Sequence, residues 1–360
     1  MSRLRTVADR ARKSIPLHLF SPTPWPAQQP TYEQARPGLI EAALKSATAQ
    51  PSGNWYVFAP SRDVRAGKPF GATVAGVEIV AWRDTHGVLH AGPRACPHLG
   101  ADLATARMHE GALLCRWHGL RIDGAPTPRW SPFPAHDDGV LCWVRLDRVG
   151  NETPTDTPIL PARPADTRVH AVATVTGTCE PDDIIANRLD PWHGSWFHPY
   201  SFANLRVTRT PTPDDDRFLL TVTFRVGPRL GVPVEAEFTC PDPRTIVMRI
   251  LSGEGVGSVV ETHATPVDPG PDGLARTTVT EAVIADSTRP GFRAAHHALP
   301  LLRPLMRHTA LRLWRDDLTY AERRYRQRTR RDARTPQTFT AHYGPSSDPE
   351  QDATPPDPLG

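Results

Sequence analysis

The chain has 360 residues, long enough for a sizeable core and two domains. Hydrophobic residues make up 39% and charged residues 22%, as in globular proteins, and the 40 prolines point to much loop and tail. A net charge of +3 gives no ground for a nucleic-acid partner, and five cysteines, an odd count in so long a chain, argue for reduced thiols rather than a disulfide framework.

The basic N-terminus, "MSRLRTVADRARKSIPLHLF", lacks an apolar core segment and a small-residue cleavage site, so it does not read as a signal peptide. No apolar run approaches the ~18 residues of a transmembrane helix, and the expectation is a cytoplasmic protein. Residues 1–49 read as an arm: an extended stretch, "SPTPWPAQQPTYEQARP", followed by a short helix through "GLIEAALKSATAQ". Strands begin at "GNWYVFAPS". A hairpin follows in "TVAGVEIVAWRD", a turn at "THG", and "VLHAG", and "GVLCWVRLDRVG" closes a small all-β domain over 50–150. "NETPTDTPILPARPAD" reads as a linker.

The remaining domain is expected over 151–332. A strand, "VHAVATVTGT", precedes "EPDDIIANRLDPWHGSWFHP", which reads as a helix capped by Asp182 or Asp183. Residues 205–285 alternate in short runs separated by "PDPR", "SGEG" and "DPGPDG", an antiparallel meander. "SGEGVGS" lies between strands with no helix after it, so it reads as a hairpin turn and not a phosphate loop. Residues 290–330 read as one mostly helical segment interrupted around Pro300 and Pro304. Its basic run "RRYRQRTRR" reads as a solvated face or tail, and 333–360 as a disordered tail.

The chemistry is concentrated in "CPHLGADLATARMHEGALLCRWHGL": Cys96-x-His98, sixteen residues, then Cys115-x-x-His118. Two such pairs could bind zinc. The spacing suits better a two-iron cluster in which one iron takes both thiolates and the other both imidazoles, each loop giving one ligand to each iron. A second group of candidates lies in "NRLDPWHGSWFHP": Asn187, Asp190, His193 and His198. Two histidines and a carboxylate on one face of an ion suit a non-haem Fe(II) that activates O2. Asp190 and His193, three apart, share a helix face, whereas His193 and His198 lie about 140° apart on a regular helix. A shared ion therefore requires a π-type turn there or the end of the helix, which Pro191, Gly194 and Pro199 favour. On a regular helix the pair would be an accident.

"CPHLGA…CRWHG" inside a β domain introduced by "GNWYVFAPS" resembles the Rieske [2Fe–2S] domain of the Rieske non-haem iron oxygenases, over about residues 50–145. Leu99 departs from the pattern, where many members carry Arg. The stretch from Asn187 to His198 is similar to the catalytic-domain motif of ketosteroid hydroxylase-like members. The resemblance implies an α+β chain: an N-terminal all-β Rieske domain and a C-terminal antiparallel-sheet catalytic domain with helices, of helix-grip, START-like type. It implies His193 and His198 as iron ligands and Asp190 as the bridge that passes an electron from a neighbouring subunit's Rieske histidine. It places the third ligand, a carboxylate, at the start of the last helix. There "LWRDDLTYAERR" offers Asp316, in register with Tyr320 and Arg324, with Asp317 as runner-up; Arg315 stands where the family usually has Gln. Cys142, Cys179 and Cys240 match no ligand position and read as small buried side chains. His263 reads as core or pocket lining, and His296, His297 and His308 as solvent-facing.

The function implied is a terminal oxygenase, a monooxygenase rather than a dioxygenase, with a [2Fe–2S] cluster, a mononuclear Fe(II) and O2. The chain has no flavin or nicotinamide fingerprint, so a separate ferredoxin and/or flavin reductase would bring electrons from NAD(P)H. The resemblance also implies a head-to-tail homotrimer and a bulky apolar substrate, sterol- or isoprenoid-like; the amphipathic, Arg-rich region 290–330 itself suits a peripheral membrane contact. The competing readings are a Rieske electron-transfer protein without a functional mononuclear iron, and a zinc-bound binding module.

Overall fold

A computed structural model describes residues 17–167, 169–212, 215–289 and 292–332. Residues 1–16, the expected tail 333–360 and the His296 side chain lie outside the described residues. Strand β1 (His18–Leu19) and helix α1 (Pro37–Thr48) precede the first β unit. That unit consists of three small antiparallel sheets. In the first, β10 (Leu141–Arg145) pairs with both β2 (Trp55–Pro60) and β9 (Ala135–Asp137). In the second, β4 (Val77–Arg83) lies between β3 (Phe70–Val74) and β5 (Leu89–Pro93). The third joins β6 (Arg107–His109), β7 (Ala112–Leu114) and β8 (Arg121–Ile122). Val80, Trp82, Leu103, Leu113, Ile122 and Trp130 pack behind this last sheet with Cys96 and Cys115, which anchors the Cys/His loops to a solid wall. The short helix α2 (Asp147–Gly150) ends the unit.

The second unit is a large antiparallel sheet. Its order is β11 (His170–Gly177), β17 (Thr277–Ile284), β16 (Val259–Pro266), β15 (Thr245–Gly253), β14 (Leu230–Asp242), β13 (Phe218–Arg225) and β12 (Phe202–Arg209), and β1 pairs with β14. Because strand side chains alternate, the two faces carry different sets. One face presents Phe218, Cys240, Ile246, Ala264 and Val279 to helices α1, α3 (Pro181–Arg188) and α5 (Phe292–Asp332). The opposite face presents Val172, Val247, Val259, Ala282 and Ile284 to Trp55, Val57, Leu141 and Trp143 of the first unit. The sheet is thus a shared wall between the helices and the first unit.

Three readings of the sequence are corrected. Helix α3 is capped by Glu180, not Asp182 or Asp183; Asp183 sits at N3, and its carboxylate accepts from the Glu180 N–H in a capping box. Helix α5 runs through Pro300 and Pro304 without interruption. Both prolines are exposed and four apart, so the backbone bonds they remove fall on one water-facing side. The run "RRYRQRTRR" is only partly a solvated face: Arg324 and Arg328 turn inward and pair with Asp183, at 2.5 and 3.0 Å, clamping α5 onto α3. The linker segment 151–167 is tied to both units. Glu152 accepts from the Ser52 and Gly53 backbone, and Arg163 pairs with Glu261 at 2.6 Å and Asp138 at 2.8 Å across the buried interface.

Candidate metal centres

The loops Cys96–Ala101 and Cys115–Leu120 are built alike. In each, the cysteine N–H donates to the carbonyl five residues on (Ala101, 2.8 Å; Leu120, 2.9 Å). A glycine four residues on donates back to the cysteine carbonyl (Gly100, 2.8 Å; Gly119, 2.9 Å). Both glycines have positive φ, 77° and 72°, and a Cβ at either would meet no neighbour, so the backbone conformation alone requires glycine. Asp102 caps the turn after the first loop and forms a two-pronged pair with Arg94 at 2.7 and 2.5 Å. The result brings like to like. The Cys96 and Cys115 thiols lie against each other and are buried, whereas His98 and His118 are exposed with their Nδ1 atoms 3.2 Å apart. Burial pushes the Cys96 thiol up. At Cys115 burial acts the same way but is outweighed by the Trp117 and His118 N–H groups and by Cys96, and the net shift is downward. Two buried sulfurs and two surface imidazoles are a fitting donor set for a Rieske cluster, with the histidine-bound iron at the protein edge.

The second centre is assembled from three elements. Helix α3 ends at Arg188, and a separate short helix α4 (His193–Phe197) carries one histidine at its start and His198 just past its end. Because α4 ends at Phe197 and His198 has left helical geometry, the 140° conflict of a regular helix does not arise. The arm packs over α4: Trp25 Nε1 donates to the Trp196 carbonyl at 2.9 Å and Gln28 Nε2 to the Ser195 carbonyl at 3.2 Å, partnering carbonyls that a short helix leaves free. Helix α5 supplies the carboxylate, and it is Asp317, not Asp316. Asp317 Oδ1 lies 3.2 Å from His193 Nε2 and 2.8 Å from His198 Nε2, and ligand atoms of the three residues fall within 4.8 Å of one another. The reason is helical phase. Ala310, Trp314, Asp317, Leu318, Ala321 and Tyr325 form one buried stripe, and Asp316, one residue and about 100° off it, has a side chain 40% exposed. That stripe was the sequence signal that could have chosen Asp317.

Around this trio, His193 Nδ1 donates to the Asp190 carbonyl, and His198 Nδ1 lies 3.2 Å from the Tyr200 hydroxyl. Asn187 Nδ2 donates to Asp317 at 3.2 Å, and Tyr320 donates to Asp190 Oδ2 at 3.4 Å. Burial alone would raise the Asp317 carboxyl, but the two imidazoles hold it well below the usual carboxylate range. Burial opposes charge on His193, yet Asp317 outweighs it and the net shift is upward; at Asp190 burial prevails and the carboxyl is pushed up. Asn187 Oδ1 and Asp190 Oδ1 are buried with no hydrogen-bond partner among the described residues. Two imidazole nitrogens, one carboxylate oxygen and an unpartnered amide oxygen beside them fit a divalent ion of the 2-His-1-carboxylate kind. Tyr200 was not singled out from the sequence; two residues past His198 in a turn, it carries no periodic signal.

The other candidates fall elsewhere. His263 is buried and bonded to Thr245 at 2.9 Å and Glu261 at 3.3 Å, while His297 and His308 are exposed. Cys142, Cys179 and Cys240 are buried, which pushes the first two thiols up to about 12.

Residues 54–144 match the model for the Rieske [2Fe-2S] domain, and residues 149–332 match a family described as Domain of unknown function (DUF5914). The oxygenase component of 3-ketosteroid-9-alpha-monooxygenase from Rhodococcus rhodochrous is 33% identical over 102 residues, 27% of this chain and 26% of that protein. Its counterpart from Mycobacterium tuberculosis is 27% identical over 175 residues, 42% and 44% of the two chains. The chain thus spans less than half the length of these curated relatives. Among solved structures, dicamba monooxygenase bound to dicamba is similar in fold, with TM-score 0.57, 19% identity, and 79% of this chain and 91% of that chain covered. The chain therefore belongs to the DUF5914 family, carries a Rieske [2Fe-2S] domain ahead of that domain, and is similar to oxygenase components of Rieske type.

Proposed function

We propose that the chain is the cytoplasmic terminal oxygenase component of a multi-protein system, a monooxygenase that oxidises a bulky apolar molecule. The observation that carries this reading is the convergence of His193, His198 and Asp317 on one buried point in a chain that also presents paired Rieske thiols and imidazoles. In this reading Cys96, His98, Cys115 and His118 hold the cluster, and His193, His198 and Asp317 hold Fe(II). When bound, the two groups supply single electrons and the activation of O2 for oxidation of a C–H bond. A ferredoxin and/or flavin reductase delivers the electrons from NAD(P)H.

The protein's own residues have three tasks. The first is to hold both imidazoles by their Nδ1 edges, which fixes their orientation. The second is to meet a neighbouring copy. The buried Asp190 carboxylate lies beside His193 with one oxygen unpartnered among the described residues, which suits a head-to-tail homotrimer in which a second copy's Rieske imidazoles approach Asp190. The third is to seat the substrate. Phe202, its ring 6.0 Å from that of His198, belongs to an apolar cluster with Leu220, Val222, Ala236 and Met248, a setting for a sterol- or isoprenoid-like molecule.

No helix among the described residues is long and apolar enough to cross a membrane. From Phe292 to Arg315 helix α5 contains no acidic residue, and Leu301 and Leu305 are 81% and 62% exposed, which favours a peripheral contact with an anionic bilayer. Co-sedimentation with vesicles that contain phosphatidylglycerol tests that contact, which fails if Leu301→Glu/Leu305→Glu binds them equally.

The primary test is iron and acid-labile sulfide on anaerobically purified protein, with EPR of the reduced sample. About three irons and two sulfides per chain, with one iron lost in His193→Ala, support the oxygenase. About two irons in the wild-type chain would leave a Rieske electron-transfer protein.

A further inference from the structure

The two histidines of the second centre are held differently. His193 Nδ1 donates to a backbone carbonyl, that of Asp190, which no substitution removes. His198 Nδ1 faces a side chain: the Tyr200 hydroxyl at 3.2 Å, which in turn lies 2.5 Å from Asp316 Oδ2. Asp316 stands 3.7 Å from His198 Nδ1, within ion-pair range but beyond direct hydrogen-bond reach, so its hydrogen-bonded route to the imidazole runs through the phenol. The Arg312 guanidinium lies 3.8 Å from the centre of the Tyr200 ring and fixes its plane.

A phenol has one proton and can also accept. Asp316, an acceptor only, takes that proton. The phenol oxygen must then accept from His198, which puts the imidazole proton on Nδ1 and turns the Nε2 lone pair toward Asp317. We propose that Tyr200 is the positioning residue of His198, and that Asp316 serves the centre by orienting Tyr200 rather than as a ligand. The adjacent acids at 316 and 317 thus divide the work, one reaching the ion and the other a hydrogen bond behind the second histidine. Such outer partners fix ring tautomer and orientation, and losing one lowers metal affinity by ~10–100-fold.

The proposal rests on the reading of His193, His198 and Asp317 as a metal site, and the test separates the two. Full-length protein with its cluster oxidised, freed of other metal by chelation, is dialysed against Co(II). Bound cobalt and its EPR spectrum are compared in wild type, Tyr200→Phe, Asp316→Ala and His198→Ala. Tyr200→Phe keeps the ring and loses only the hydroxyl; its Co(II) affinity is expected to fall ~10–100-fold, with an altered signal. Asp316→Ala, at a half-exposed position, leaves the phenol in place but undirected, and a smaller loss with the same spectral change is expected. Unchanged affinity and spectrum in both variants overturns the inference and leaves the metal site standing. If Tyr200→Phe does not fold, Asp316→Ala decides alone. A wild-type chain that takes up no more cobalt than His198→Ala overturns the metal site and this inference together.

Discussion

The Rieske loops and the second centre reach similar ends by opposite means. In the loops, each cysteine and histidine pair is separated by one or two residues, and the backbone around them closes on itself within six residues. At the second centre, the histidines sit at the two ends of one short helix, and their acid arrives on another helix 119 residues after His198. The first site is a local conformation repeated twice. The second exists only because α5 is clamped against α3. One helix face of α3 makes this concrete: Asp183 binds Arg324 and Arg328, and Asn187, one turn on, meets Asp317. The ion pairs set the register that delivers the carboxylate.

The contrast can be broken most sharply at the adjacent acids within α5. Asp317→Ala should abolish retention of a mononuclear ion while leaving the cluster's iron and sulfide intact, whereas Asp316→Ala should retain the ion. Metal analysis of the two variants decides, and equal loss in both would mean that the helical phase has been misread.

The next effect concerns the wall between the two units. Arg163→Met strands Glu261 and Asp138 inside the interface, and the loss of one partner of a buried ion pair typically costs about 3–5 kcal/mol. Chemical denaturation should register it as an earlier midpoint; a change within error would show that the linker is not a tie. The same residues predict a pH signature. Burial alone would raise both carboxyls, but Arg163 overrides it and holds them low in the folded state. Their contribution is therefore present above the unfolded carboxylate value of about 4 and lost as pH falls through the folded values. Wild type should lose stability below that point more steeply than Arg163→Met does, as read from urea midpoints across pH.

The smallest expected effect tests the loops. Gly119→Ala introduces a Cβ that touches nothing yet must hold φ near 72°, at a cost of about 1–2 kcal/mol. Cluster content should fall modestly, with no change in retention of the mononuclear ion. If the ion were lost as well, the two centres would not be built independently.

That the two cysteines and two histidines would pair was legible in the sequence because their geometry is local: Cys-x-His and Cys-x-x-His with a following glycine specify a turn and its side chains within a few residues. The helix end at His198 was legible for the same reason, from Pro191, Gly194 and Pro199. The strand meander could be read from alternation, which needs only neighbours. Three other features could not be read this way. Asp316 and Asp317 are chemically identical neighbours, and only the packing of Trp314, Leu318 and Ala321 against α3 and the sheet turns one inward. Pro300 and Pro304 suggest a break by their chemistry, yet the helix continues because their lost bonds face water. Arg324 and Arg328 look like any basic run until Asp183 is found opposite. The sequence alone determined which residue types stand in each Cys/His loop and that the helix ends at His198, since those are set by backbone sterics and nearest neighbours. The tertiary structure alone decided which acid joins the histidines and what holds each ring, because those contacts join atoms more than a hundred residues apart and depend on helical phase and register.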